Sequence, residues 1–142
     1  MLSNKQTRLI EELRKNSRTR LTDLSEKLQT PLSTVHDRLY TLVRTKQIRL
    51  VTIPRFSSLN MPLQTWVFLA AKNRKIAKIF LEKHLHVNTL LSVHNGADFA
   101  CECIFANFKQ YDAFIQQCIA YGTVTHHPII EVICQETARV HS

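Results

Sequence analysis

Glycine is scarce: the 142 residues contain two, Gly96 and Gly122. A phosphate-cradling loop or a dinucleotide fingerprint needs more glycines at fixed close spacing, so both are excluded. No C-x-x-C pair occurs among the four cysteines, Cys101, Cys103, Cys118 and Cys134. No apolar run approaches the ~20 residues that span a bilayer, so no membrane partner is expected. The start, Met1-Leu2-Ser3-Asn4-Lys5-Gln6, has no apolar core, and the reading expects no secretory signal. No Ser-His-Asp arrangement and no paired-acid motif is visible. Acidic residues are also short, 11 against 19 Lys and Arg, which leaves a net charge of +8. Such an excess on a small protein favours a polyanionic partner. Hydrophobic residues at 44% and charged residues at 21% match an ordinary globular chain.

The charge is unevenly placed. Residues 1–60 carry 12 basic and 5 acidic side chains, and residues 61–142 carry 7 and 6. A basic binding module is followed by a nearly neutral one. Without a secretion signal the cysteines read as reduced thiols and small core residues, and a cytoplasmic location is expected. His126, His127 and Cys134 have the chemistry of a zinc site. Adjacent histidines on a strand point to opposite faces, however, so no metal or other cofactor is expected.

Three short helical patterns come first. Leu9, Ile10 and Leu13 form one stripe behind a Ser3 cap. Leu21, Leu24 and Leu28 form a second, with Thr22 and Asp23 near its start. Val35, Leu39 and Leu42 form a third. Thr30-Pro31 predicts a Thr cap followed by proline at the first helical position. Two of these helices joined by a tight turn make a helix-turn-helix. The β-prone run Ile48–Ile53 then reads as a wing strand, and residues 54–62, with two prolines and two serines, as a linker.

The second half alternates. Strands are expected at Thr65–Lys72, Thr89–Val93, Phe99–Phe105 and Ile129–Cys134. Helices are expected at Lys75–His84, with Ile76, Ile79 and Phe80 on one side, and at Phe108–Tyr121, closed by Gly122 as a C-cap. The order β-α-β-β-α-β is ferredoxin-like. The fold class is therefore α+β, with a winged helix-turn-helix at 1–53 and a ferredoxin-like domain at 63–142. Two helices cover one face of a four-stranded sheet. The other face, with Ala100 and Ile104, needs cover, and a second copy of the chain is its simplest source.

This organisation resembles the Lrp/AsnC family of feast/famine transcription regulators over nearly the whole chain. The residues that carry the likeness are Leu24-Ser25-Glu26-Lys27-Leu28, Ser33 to Leu39 with Leu42, and Ile48. In the second half they are Gly96-Ala97-Asp98-Phe99, like the family's G-x-x-D loop, and Gly122-Thr123-Val124 before the last strand. The chain departs from the pattern at Gln29 and Lys46, where the family usually has glycine, and at Ala97, where it usually has an aromatic. The resemblance implies a RAM/AsnC-type second domain. It also implies homodimers joined through the sheets, often assembled into octamers, and small effectors bound near subunit surfaces.

A DNA-reading assignment follows. The third helix fits a major groove ~12 Å wide. Ser33, Thr34, His36 and Asp37 lie early on it and are assigned to base edges, Asp37 as an acceptor from cytosine. Arg18, Arg20, Lys27, Arg38, Tyr40, Thr41, Arg44, Lys46 and Arg49 are assigned to the backbone of double-stranded DNA. Asn95, Gly96, Ala97 and Asp98 are assigned to an amino-acid effector, whose ammonium Asp98 would pair. An effector-free regulator is one alternative. Another is an enzyme like the siroheme decarboxylases, which share this architecture and would use His84, His86 and His94. His94 before Asn95-Gly96 does not reproduce that family's pattern. A sensor or interaction module without DNA binding is the third, and the +7 of residues 1–60 opposes it.

Overall fold

The computed structural model describes residues 3–133. The chain divides between Ile53 and Pro54 into two compact units.

The first unit is three helices, α1 (Asn4–Lys15), α2 (Leu21–Leu28) and α3 (Leu32–Arg44). Ser3 caps α1 in a capping box. The Gln6 backbone N–H donates to Ser3 Oγ at 3.3 Å, and the Ser3 backbone N–H donates to Gln6 Oε1 at 2.9 Å. Leu9, Ile10, Leu13, Leu24, Val35 and Leu42 meet in one buried core, with Leu21, Leu28, Leu39 and Ile48 packed against it. The three apolar stripes thus account for the packing of the unit.

Two local expectations are corrected. Pro31, not Thr30, is the N-cap of α3, with no side-chain cap bond. Thr30 is turned inward: its hydroxyl donates to the Leu28 carbonyl at 3.0 Å, and its carbonyl accepts from Ser25 Oγ at 2.7 Å. Those bonds close the end of α2 instead of opening α3. Residues 48–53 form no strand. A strand needs a run of bonds to a neighbouring strand; here, among the described residues, only the Ile48 backbone N–H is engaged, donating to the Leu42 carbonyl of α3 at 3.2 Å.

The second unit holds a 3₁₀ turn (Phe56–Leu59), inside the segment expected as a linker, then β1 (Leu63–Ala71), α4 (Arg74–Lys83), β2 (Val87–Ser92), β3 (Phe99–Phe105), α5 (Phe108–Tyr121) and β4 (Gly122–Pro128). The antiparallel sheet has the order β2-β3-β1-β4, the ferredoxin-like arrangement. Odd positions of β1 and β3 (Val67, Leu69, Phe99, Cys101, Cys103, Phe105) pack under Ala77 and Leu81 of α4 and Phe114, Ile115 and Cys118 of α5. Ile76 and Ile79, expected beside Phe80 on α4, lie outside that core and are about half exposed.

The last strand is also corrected. It runs Gly122–Pro128, not Ile129–Cys134; residues 129–133 form no strand, and Cys134 lies outside the described residues. Gly122 is the C-cap of α5, as expected, but not in the left-handed conformation common for glycine there. Its φ of 166° is extended backbone. A Cβ at this position would come within 2.0 Å of the Ala70 carbonyl oxygen. Only glycine lets β4 begin directly off α5 against β1. On β4, His126 meets Tyr111 of α5 while His127 meets Phe68, so the two rings do lie on opposite faces.

Candidate nucleic-acid interface

Helix α3 presents two faces. Val35 and Leu42 are buried, while Ser33, His36, Asp37, Tyr40, Thr41 and Arg44 are exposed and Thr34 and Arg38 are intermediate. Exposed hydrogen-bonding side chains thus run the length of a thirteen-residue helix, opposite its apolar stripe. At its start His36 Nδ1 lies 3.5 Å from Asp37 Oδ1, with both side chains well exposed. Near its end the Arg44 guanidinium sits 6.0 Å from the Tyr40 ring centre, which holds a flexible cation against the helix surface. The first backbone N–H groups of α3 have no side-chain cap, so they are donors available to an oxygen ligand.

Arg18, Arg20, Lys46 and Arg49 are exposed in the same unit. Lys27 is partly committed: its Nζ lies 3.7 Å from Glu12, whose carboxyl is held below the usual range, chiefly by a hydrogen bond from Lys15.

Both helices that make the turn end alike. After α2, the Gln29 and Thr30 backbone N–H groups donate to the carbonyls of Glu26 and Ser25. After α3, those of Lys46 and Gln47 donate to Val43 and Leu42. Each is a Schellman motif, whose left-handed position is usually glycine. Here it is Gln29, with φ 48°, and Lys46, with φ 57°. Two of the three departures from the resembled pattern, Gln29 and Lys46, are therefore left-handed residues that bracket the third helix.

In the second unit, the loop before β3 turns through Asn95 (φ 64°) and Gly96 (φ 96°). Asn95 and Gly96 are exposed, and Ala97 and Asp98 are intermediate. Asp98 does not present a free carboxylate. One oxygen accepts from the Ala71 backbone N–H at 2.8 Å and the other from Arg74 at 2.7 Å. The bond from Ala71, then Arg74, keeps its carboxyl below the ordinary range against a partial desolvation. Arg74 also donates to Ser92 Oγ and lies over the Phe99 ring at 5.1 Å. Sequence reading missed Arg74. The only hint was a basic residue directly after the Asn73 cap of α4.

The open face of the sheet carries Trp66, Phe68, Ala100, Glu102, Ile104 and His127. Trp66 stands between Glu102 and His127 in the register, and Phe68 opposite Ala100. Phe68 and His127 meet edge-on at 5.8 Å. Ala100 and Ile104 are already buried within the chain, at 3% and 2% exposure, whereas Trp66 and Phe68 remain half-buried. Glu102 is held at both oxygens by Gln64 (2.5 Å), Asn88 (2.7 Å) and Thr89 (2.8 Å).

Residues 7–51 match the model of the IclR helix-turn-helix domain. No curated protein matches the chain. Solved structures match over nearly its whole length. LrpC of B. subtilis is 20% identical, with a TM-score of 0.86 over 96% of this chain and 99% of that one. AsnC of E. coli is 14% identical, with a TM-score of 0.86 over 99% of each chain. A transcriptional regulator from Neisseria meningitidis, solved as a complex with L-Met, is 16% identical, with a TM-score of 0.86 over 96% and 95%. The fold is that of the Lrp/AsnC proteins.

Proposed function

We propose that the protein is a sequence-specific transcription regulator that binds double-stranded DNA as a homodimer. One observation carries this reading: α3 buries its apolar stripe and leaves Ser33, His36, Asp37, Tyr40, Thr41 and Arg44 exposed in a strongly basic unit. Ser33, Thr34, His36 and Asp37 read base edges; Arg18, Arg20, Lys27, Arg38, Tyr40, Thr41, Arg44, Lys46 and Arg49 hold the backbone. The fold shared with AsnC and LrpC supports the reading, and so does the helix-turn-helix match.

Trp66 and Phe68 form the centre of the proposed dimer face, and octamers are the further assembly that the resemblance implies. Pairing two modules raises their effective concentration on paired half-sites. The L-Met complex of the Neisseria regulator supports an amino-acid effector. With Asp98 committed to Ala71 and Arg74, contact falls to Asn95, Gly96 and Ala97, and Asp98 shapes the loop. Thermal shift across the amino acids tests this part: a shift with one of them supports an effector site, and none with any favours an effector-free regulator.

The siroheme-decarboxylase alternative loses two of its histidines to internal contacts. His84 Nε2 bonds Gln117 at 3.1 Å, and its ring packs on Phe114 at 4.6 Å; burial pushes its pKa down. His86 Nδ1 is 3.0 Å from the Ile104 carbonyl. Selection of bound sequences from random duplexes tests the main proposal. Enrichment of a paired-half-site motif supports it, and binding without any sequence preference overturns it.

A further inference from the structure

The matched ends of α2 and α3 separate the cost of a left-handed residue from its use. A non-glycine side chain in this conformation is strained by contact between its Cβ and the backbone. Gln29 and Lys46 carry that strain in the same motif, with φ values only nine degrees apart, 48° and 57°. They differ in charge and place. Lys46 is exposed and directly follows the exposed face of α3, with Arg44 two residues before it and Arg49 three after. No acid pairs with it among the described residues.

Resting on the DNA-binding reading above, we propose that Lys46 is a phosphate-contacting residue whose backbone strain is retained for that contact. Glycine would relax the turn but would remove the ammonium from the point where the chain leaves the third helix. Backbone strain persists where surrounding structure holds it and clusters at functional sites. Here the Schellman bonds from Lys46 to Val43 (3.0 Å) and from Gln47 to Leu42 (2.9 Å) hold it. An ammonium fixed on such a turn, rather than on a fraying helix end, reaches a phosphate with less loss of backbone freedom.

The test compares Lys46→Gly, Lys46→Arg and Gln29→Gly in the full chain. Each is melted, and each is titrated with a mixed-sequence duplex across a range of salt. Lys46→Gly is expected to raise Tm by roughly 4 °C through relief of strain. It should also weaken binding about eightfold at 0.1 M salt per engaged module and lower the salt slope by about one, as for one lost counterion-releasing contact. Gln29→Gly should raise Tm similarly with unchanged binding. Lys46→Arg, which keeps the charge and a side chain at the left-handed position, should show neither the gain in Tm nor the loss of salt slope expected of Lys46→Gly; a glycine-like loss of slope would count against the charge as the cause. Unchanged binding by Lys46→Gly, or no gain in its Tm, overturns the inference; so does equal weakening by Gln29→Gly. Absence of any salt-dependent complex with the unsubstituted protein would instead overturn the DNA-binding reading itself.

Discussion

Arg74 donates to Asp98 across 2.7 Å, joining the first turn of α4 to the loop that precedes β3. The second Asp98 oxygen takes the Ala71 N–H, so one carboxylate joins β1, α4 and β3. Because its folded pKa is depressed, its contribution is present above the ordinary carboxylate value and is lost as pH falls through the folded value. Asp98→Asn should lower Tm at neutral pH and flatten the acid limb of the stability curve below about pH 4. Thermal melts at stepped pH check this; an unaltered acid limb would contradict the role given to Asp98.

Gly122→Ala should disrupt the start of β4. Its Cβ would overlap the backbone carbonyl of Ala70, and backbone on both sides must shift. A loss of at least about 2 kcal/mol is expected, at the upper range for overpacking. Urea unfolding measures it. A neutral result would show that α5 can feed β4 along another path.

Phe68→Asp should give a monomer. Phe68 is half-buried on the open sheet face and is not part of the core beneath the helices, so the subunit should still fold. Light scattering reads the mass, and duplex titration should show weaker operator binding. A folded dimer with Asp at position 68 would place the association surface elsewhere.

Cys101, Cys103 and Cys118 should resist alkylation at pH 8 in the native protein. All three are buried. Burial pushes the Cys118 thiol up to about 12, and contact with Cys101, then burial, pushes Cys103 upward. The nucleophile is the thiolate, so little is available from Cys103 and Cys118, while Cys101 is shielded by its burial. The sign for stability follows for Cys103 and Cys118: folded values above the unfolded ones give stability that is complete below the ordinary thiol pKa and declines as pH rises from there toward 12. Peptide mapping after brief labelling checks the first point, and melts between pH 8 and 10 the second.

Much of this architecture was legible because the burial pattern follows simple periods. Leu9/Ile10/Leu13, Val35/Leu42 and the odd positions Phe99 to Phe105 each announce the face they bury. What was not legible depends on partners distant in sequence. The runs 48–53 and 129–133 are β-prone, but a strand exists only where a neighbour supplies a run of bonds, and of the second run only the Ile129 N–H reaches β1 among the described residues, at the Gln64 carbonyl; β4 instead forms over Gly122–Pro128, where proximity to β1 overrides weak local preference. Thr30 has the composition of a cap, and its hydroxyl was claimed by the preceding turn. The candidate site divides in the same way. The outward residues of α3 follow from helical spacing alone. That Asp98 is committed to Arg74 and Ala71, 24 and 27 residues away, could not be read from the loop.

The central claim is that α3 reads duplex DNA. The most direct measurement is selection of bound duplexes from a random pool at two salt concentrations, with the unsubstituted protein and with Asp37→Ala. The account predicts one enriched motif with paired half-sites, binding that weakens steeply with salt, and relaxed preference at a single base pair per half-site in the variant. Identical motifs from both proteins, or no enrichment from either, would contradict it.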